Sequence, residues 1–123
     1  MKSLILTACF ALFLSLGTAQ QKDYSTDVAS AETITAALYN AISGEPGQAR
    51  DWDRFRNLFK PEGRMIPTRK GDAGELTLKA LSTEEYIQLF SSRIKSGFYE
   101  RELHRVQDSY GTVTHVFSTY ETK

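Results

Sequence analysis

The stretch that decides the fold is ERELHRVQDSYGTVTHVFSTYE, which spans residues 100–121. Valine, threonine, tyrosine and phenylalanine, which favour strands, recur on both sides of Tyr110-Gly111. A pair that includes glycine between two such runs is suited to a tight turn. The stretch therefore predicts two long antiparallel strands, 98–109 and 112–121, joined by a two-residue turn at Tyr110 and Gly111.

The residues before this hairpin have the spacing of amphipathic helices. Apolar residues within 28–42 recur mostly three or four positions apart, and a second such set lies in WDRFRNLFK at 52–60. A third helix is predicted to start at Ser-Thr-Glu-Glu (82–85), which has the form of a capping box. Short strands at 64–68 and 76–81 fall between the second and third helices. The order ααββαββ, with helices and strands in separate groups, predicts an α+β domain.

The N-terminus has the three parts of a secretory signal peptide. Met1–Ser3 is short and positively charged, Leu4–Leu16 is apolar and uncharged, and Gly17–Ala19 supplies small residues for cleavage. The apolar run is shorter than the roughly 20 residues that a transmembrane helix needs. We divide the chain into a signal peptide 1–19, a flexible lead-in 20–27 and a domain 28–123. Cleavage near Ala19 predicts a secreted or periplasmic protein with no stable membrane anchor.

Charge and cysteine content disfavour several partners and chemistries. The 15 basic and 15 acidic residues balance, which gives no support for nucleic acid as a partner. The single cysteine, Cys9, leaves with the signal peptide, so the exported domain is predicted to have no disulfide and no thiolate. A lipidated Cys9 is the alternative, but the apolar run continues past it through Leu16. No phosphate-binding glycine loop or comparable motif occurs, so we predict no cofactor.

Three stretches together resemble the nuclear transport factor 2-like superfamily, and in particular its SnoaL-like domains. They are DWDRFRNLF (51–59), LSTEEYIQLF (81–90) and the hairpin sequence at 100–121. The resemblance covers about residues 28 to 121 and implies a cone-shaped, curved antiparallel sheet with helices packed on its concave face, around a pocket. Members include isomerases, cyclases, dehydratases and hydrolases, as well as proteins that only bind a ligand or dimerise, so the fold does not fix the function.

The resemblance also raises a question about the end of the chain. The family fold continues after the HVFSTYE-type strand with two further strands, which this sequence does not contain. We expect either a shortened domain or a partner at the open edge of the last strand, since unpaired backbone groups favour association. A homodimer through the sheet is one form that such a partner can take.

The residues proposed for catalysis lie in the first strand of the hairpin. Glu100, Glu102 and His104 occupy alternate positions, so regular alternation puts all three on one face. Glu102 and His104 would be about 6.5–7 Å apart, a separation at which a carboxylate and an imidazole can flank a substrate as acid and base. The alternative is that this face of the strand is simply solvated.

Other residues are candidates for binding a ligand rather than for chemistry. An aromatic ring can form a pocket wall and a tyrosine hydroxyl can donate to a ligand oxygen, although both are also common in cores. With a turn at Tyr110-Gly111, His115 would lie opposite Val106 and diagonal to His104. A metal site from these histidines and Glu102 is conceivable, but paired strand histidines are usually structural, so we predict no metal. The candidate ligand-binding residues are Trp52, Tyr86, Glu100, His115 and Tyr120.

These observations favour an exported domain that binds a small molecule of unknown identity. The first alternative is a cofactor-free enzyme that uses the Glu102 and His104 pair. The second is a dimerisation or protein-interaction module. The sequence does not decide whether the protein is an enzyme.

Overall fold

The computed structural model describes residues 22–92 and 94–123, so the signal peptide predicted at 1–19 lies outside the described residues. The described chain is an α+β protein with three α-helices and two small antiparallel sheets. A 3-10 helix, Ser25–Val28, precedes the α-helices, which are α1 (Ala31–Ile42), α2 (Trp52–Asn57) and α3 (Thr83–Ser91). The strands are β1 (Thr68–Lys70), β2 (Leu76–Leu78), β3 (Glu100–Tyr110) and β4 (Val113–Thr122).

Each sheet has two strands, and neither is closed within the described residues. β1 pairs with β2, and β3 pairs with β4 to form what we call the β3–β4 ribbon. β1 begins at Thr68, at the end of the segment predicted from the sequence, because Pro67 has no amide hydrogen to donate to a ladder. Pairing resumes on the other side of Pro67 as an isolated bridge between Met65 and Leu81.

The turn of the β3–β4 ribbon lies one residue later than the sequence predicted. Tyr110 pairs with Val113, so the two central residues are Gly111 and Thr112. Gly111 has a φ of 58°, and no residue other than glycine has a positive φ in the described chain. A positive φ at the first central position only is the pattern of a type II′ hairpin turn, where glycine is preferred.

The ribbon contains a β-bulge at Leu103. Glu102 pairs with Tyr120 and His104 pairs with Thr119, which leaves Leu103 without a partner in β4. One extra residue on one strand interrupts the alternation of side chains at that point. The bulge therefore separates the ribbon into two parts whose faces are out of phase by one residue.

The core lies among the three α-helices and is rich in aromatic rings. Phe55 of α2 is completely buried and packs with Ala41, Ile42 and Ile87. The rings of Phe55 and Tyr86 are stacked with centroids 5.4 Å apart. Further partly buried side chains that surround this cluster are Leu38, Trp52, Phe59, Phe90 and Phe98.

Local signals fix where the helices begin. Ser82 accepts a hydrogen bond from the Glu85 amide while the Glu85 carboxylate accepts one from the Ser82 amide, which confirms the predicted capping box of α3. Asp51 caps α2 by accepting a hydrogen bond from the Arg54 amide. None of the helices in the described ranges is long and apolar enough to cross a membrane.

Arg50 organises the link between α1 and α2. Its guanidinium donates to the carbonyl oxygens of Ile42 at 2.8 Å, Gly44 at 2.8 Å and Gln48 at 2.7 Å. Two of these carbonyls lie at the C-terminal end of α1, where backbone acceptors lack partners within the helix. Gly44 also forms an antiparallel bridge with Phe98, just before β3 begins. The link therefore joins the end of α1 to the start of β3.

Candidate functional site

The β3–β4 ribbon has two surfaces, and the bulge decides which residues lie on each. Paired residues of antiparallel strands share a surface, and successive residues alternate between surfaces. The helix-facing surface, which α1 covers in part, carries Glu100, Glu102, Arg105, Ser118 and Tyr120. The outward surface carries His104, Val106, Asp108, Tyr110, Val113, His115 and Phe117.

The prediction that Glu100, Glu102 and His104 share one surface is wrong for His104. Glu100 and Glu102 lie on the helix-facing surface, whereas His104 follows the bulge and lies on the outward surface. An insertion of one residue sends each later side chain to the opposite face. Glu102 and His104 therefore cannot flank one substrate from a common face of β3.

His115 lies opposite Asp108, not opposite Val106 as the predicted turn required. It shares the outward surface with His104, but Asp108 is four positions beyond His104 in β3. At a rise of about 3.3 Å per residue, the two histidines are on the order of 13 Å apart along the strand. Within 22–92 and 94–123, no group of three or more histidine, cysteine, aspartate or glutamate side chains is placed to hold a metal ion.

The start of β3 is attached to the end of α1. The Ser43 hydroxyl accepts a hydrogen bond from the Glu100 amide at 2.9 Å and donates one to the Tyr39 carbonyl at 2.7 Å. Tyr39, which is buried, then places its ring 5.8 Å from that of Tyr120. These contacts hold α1 over the first half of the helix-facing surface and set the position of the Glu100 side chain.

A hydrogen-bonded network crosses this surface. The Tyr39 hydroxyl donates to Ser118 Oγ at 2.9 Å, and the Ser118 hydroxyl donates to Glu102 Oε1 at 2.7 Å. Arg105 donates from Nε to Glu102 Oε1 at 3.0 Å and from Nη2 to Oε2 at 2.8 Å. The Arg105 and Ser118 hydrogen bonds hold the pKa of the Glu102 carboxyl below its usual range. Glu102 is therefore a paired anion at neutral pH.

Glu100 has a different environment from Glu102. It is half-buried, and burial raises the pKa of its carboxyl above the usual range. Among the described residues, the only side chain that donates to this carboxylate is Thr122, at 3.3 Å. A carboxylate withdrawn from water without a cationic partner is costly to ionise, and such groups are often found at binding or catalytic sites.

Tyr86 connects the helix-facing surface to a cavity. Burial raises the pKa of Tyr86 to about 12, and the nearby charges of Glu100 and Tyr120 add to the effect. One turn later in α3, Phe90 contacts Phe98 edge to face at 4.9 Å, which holds α3 beside the start of β3. Tyr86 thus lies between α3 and the helix-facing surface, and its hydroxyl stays protonated at physiological pH.

The cavity has a volume of about 310 Å³ and lies between α3 and the β1–β2 hairpin. Its inner wall is apolar, and Arg69 and Lys79 lie on the hairpin side. This volume is at the lower end of the range of about 300–1,000 Å³ that is common for small-molecule sites. The inner wall is formed by Leu81, Tyr86, Leu89 and Phe90.

Trp52 lies behind the cavity wall. Its ring packs edge to face against Phe55 at 5.8 Å and against Phe90 at 6.1 Å. The sequence left open whether this residue is a wall or a core residue, and its contacts are those of a core residue that touches the wall. Its indole is a sensitive position from which to detect changes at Phe90.

Most basic residues between 50 and 70 serve the structure. Arg54 forms a bidentate pair with Asp27, and Arg56 pairs with Glu84. Arg50 and Arg64 donate to backbone carbonyls. The Arg54 pair also attaches the 3-10 helix to α2. These arginines are therefore occupied by internal partners.

Sequence reasoning brought together some residues of this site and missed others. Glu100, Glu102, Tyr86 and Tyr120 were candidates from the sequence; the first two and Tyr120 lie on the helix-facing surface, and Tyr86 is within electrostatic range of Glu100 and Tyr120. Arg105 and Ser118 were missed, because uninterrupted alternation assigns Arg105 to the face away from Glu102. A spacing of three between a glutamate and an arginine in one strand was the available signal, since only a bulge lets them pair.

The convergent groups suit the binding of a small polar or charged molecule. They comprise a poorly solvated carboxylate, protonated tyrosine hydroxyls and aromatic rings beside a cavity. Comparison of this chain with protein-family models, with curated proteins and with solved structures returned no match in any of the three.

Proposed function

We propose that this chain is an exported domain that binds a small molecule, of the SnoaL-like type. The observation that carries the proposal is the position of Tyr86. Its ring lines the cavity beside α3, and its hydroxyl is within electrostatic reach of Glu100 and Tyr120. A ligand in the cavity that contacts Tyr86 is therefore one residue away from the polar groups that act on this tyrosine from the helix-facing surface. An apolar wall with a few convergent polar groups is the usual design of such sites.

We further propose that both two-stranded sheets belong to one cone-shaped, curved arrangement around the helices. The β1–β2 hairpin lines the cavity beside α3, and Phe98, two residues before the ribbon begins, packs on Phe90 of α3. Twisted strands wrap readily around a helical layer. The proposed ligand site is the space that the two sheets share with α3.

The test is a binding titration followed by tryptophan fluorescence. The sequence contains a single tryptophan, and Trp52 contacts Phe90 of the cavity wall. A panel of small ring compounds, such as benzyl alcohol, indole and cyclohexanone, is titrated into the protein. Saturable changes that disappear in Leu89→Trp, which fills the cavity, support the proposal. A panel without any saturable binder contradicts it.

A second candidate function is association through the outward surface. Phe117 is 69% exposed and Tyr110 is 92% exposed. Their partners across the ribbon, Val106 and Val113 respectively, are also exposed. Apolar side chains grouped on one face, where charged residues are expected, often mark an interface. Asp108 and His115 are cross-strand neighbours within this group. In a dimer with a two-fold axis here, Asp108 of one copy would face His115 of the other.

Sedimentation velocity tests this second function. A dimer that becomes monomeric in Phe117→Ser and is unchanged in Thr114→Ser, on the opposite surface, supports it. Standard-sized interfaces form well below a concentration of about 100 µM. A wild-type protein that is still monomeric at that concentration would contradict this second function.

A further inference from the structure

We propose that the ligand of this site carries a positively charged amine, which Glu100 binds between the rings of Tyr39, Tyr86 and Tyr120. The inference rests on the proposed function and names the chemical class of its ligand. It follows from the charges, the rings and the solvent exposure around one carboxylate.

The helix-facing surface has one carboxylate that is neutralised and one that is not. Glu102 receives both arms of the Arg105 guanidinium, so this pair carries no net charge. No lysine, arginine or histidine in the described part of the chain forms a salt bridge with Glu100 within 4.0 Å. Arg101, its neighbour in β3, lies on the other surface and pairs with Glu121. The surface therefore keeps a single unbalanced negative charge.

Three tyrosines lie near this charge, two of them within electrostatic range and one as a neighbour on the same surface. Tyr120 is the diagonal neighbour of Glu100 on the helix-facing surface, a position about 7–8 Å away between Cα atoms. Tyr39 packs on Tyr120 from α1, and Tyr86 approaches from α3. Aromatic rings attract cations through their negatively charged faces, and Tyr hydroxyls that stay protonated add no competing charge. Burial raises the pKa of Tyr39 and Tyr86, so both remain neutral.

A protonated amine complements the charge of Glu100 better than an anion or a neutral group does. A cation supplies the counter-charge that Glu100 lacks, in a place where water stabilises the carboxylate poorly. An anion would meet a carboxylate that has no salt-bridge partner among the described residues. Arg69 and Lys79 line the cavity beside α3, which Glu100 does not line, and both are exposed to solvent that screens them. Glu100 lines a second cavity, of about 590 Å³, with Arg101 and Lys123, but both of these cations pair with Glu121.

The inference is tested with three probes of similar shape and different charge. Benzylamine, benzyl alcohol and phenylacetate are titrated into the wild-type protein at neutral pH, with Trp52 fluorescence and calorimetry as readouts. A charge-assisted contact is worth about 1.5–3 kcal/mol, so benzylamine should bind about tenfold or more tighter than benzyl alcohol. Phenylacetate should bind more weakly than benzyl alcohol.

Glu100→Gln is the decisive variant, since it keeps the shape of the side chain and removes its charge. It should bind benzylamine and benzyl alcohol with equal affinity. Glu62→Gln removes a carboxylate from an exposed turn that lines neither cavity, and it should keep the preference for benzylamine.

The pH dependence gives an independent readout. The groups near Glu100 on its own surface are Tyr39 from α1, Tyr86 from α3, Tyr120 from β4 and the paired Glu102 and Arg105 in β3. Arg101, Glu121 and Lys123 line a second cavity with it. Burial raises the pKa of Glu100, whereas hydrogen bonds from Arg105 and Ser118 lower the pKa of Glu102, so Glu100 takes up a proton before Glu102 does on acidification. The pKa values of Tyr39, Tyr86 and Arg105 are raised, so these groups keep their protons. Benzylamine affinity should fall as Glu100 takes up a proton on acidification, and this fall should be absent in Glu100→Gln.

The remaining outcomes each overturn one or both of the two proposals. Equal affinities for the three probes, or an amine preference that survives in Glu100→Gln, overturn the amine inference and leave the binding function standing. If none of the three binds while other ring compounds do, the amine inference is again overturned alone. If the whole panel fails to bind, both proposals are overturned.

Discussion

Glu102 and His104 are two residues apart in β3 and lie on opposite surfaces of the β3–β4 ribbon, because Leu103 between them has no partner in β4. The bulge gives Glu102 a different neighbour instead. Arg105, three residues later, now shares its surface and binds it with two hydrogen bonds. A carboxylate that looked available for proton transfer is thus held as an ion pair, whereas the neighbouring Glu100 has no salt-bridge partner among the described residues.

Glu102→Gln should destabilise the protein at neutral pH, and His104→Gln should change the free energy of unfolding by less than about 0.5 kcal/mol. The first variant leaves Arg105 without its anion, whereas His104 is exposed on the other surface. Urea denaturation of both variants measures the difference.

The Glu102 effect should also depend on pH with a defined sign. Its pKa is lowered in the folded protein, chiefly by the hydrogen bonds from Arg105. Its stabilising contribution is therefore complete above the unfolded pKa of about 4.3 and is lost as pH falls through the folded value. Wild type and Glu102→Gln should converge in stability in strong acid, and a constant gap down to that range would contradict the assignment.

Glu100→Gln should make the protein more stable at neutral pH, while it removes the preference for amines. Burial raises the pKa of Glu100, so ionisation of this residue opposes folding above its unfolded pKa. The gain should disappear as pH falls below the ordinary pKa of a glutamate, where the carboxyl is protonated in both states. Thermal unfolding of the wild type and of Glu100→Gln at several pH values measures this gain in stability. A loss of stability at neutral pH would show that Glu100 has a structural partner.

Tyr86 should be among the last tyrosines to ionise when the protein is titrated with base. Its pKa is raised to about 12, first by burial and then by Glu100 and Tyr120. The absorbance of phenolate near 295 nm, recorded while the far-ultraviolet circular dichroism stays native, follows the ionisation. Tyr86→Phe should remove amplitude only from the most alkaline part of the curve. A loss of amplitude near pH 10 would place Tyr86 in water.

Leu81→Ala should lower the free energy of unfolding by about 2–5 kcal/mol, and Leu76→Ala should lower it by less than about 0.5 kcal/mol. Leu81 is 1% exposed and lines the cavity, whereas Leu76 on β2 is 78% exposed. The two variants make the same chemical change, so they separate burial from side-chain type. Equal losses in urea denaturation would mean that β2 is covered in solution.

The helices could be predicted because their signals are local. The capping box at Ser82 and Glu85 depends on a spacing of three residues, and the structure contains both of its hydrogen bonds. The α+β class followed from the same reasoning. The pairing of β3 with β4 was also predictable, since a glycine between two β-rich runs has few other uses.

The register of the β3–β4 ribbon could not be predicted from the sequence. The observed turn and the bulge each shift the strand pairing by only one residue, and no local signal distinguishes such small shifts. Gly111 is central in both the predicted and the observed turn, so the glycine does not tell the two apart. Leu103 has no feature that marks it as the extra residue of a bulge, and bulges are set by contacts across strands. The bulge lets Glu102 bind Arg105 and Ser118, and these partners are out of phase or distant in sequence without it.

The Gly44 carbonyl accepts hydrogen bonds from Arg50 at 2.8 Å and from the Phe98 amide at 3.0 Å. Arg50 thereby fixes the chain two residues before Glu100 without touching that side chain. Substitution of Arg50 by lysine keeps the charge but loses the planar fork that reaches several carbonyls at once. Substitutions in a surface loop can consequently shift the proposed site at Glu100 while every residue proposed to meet the ligand stays the same.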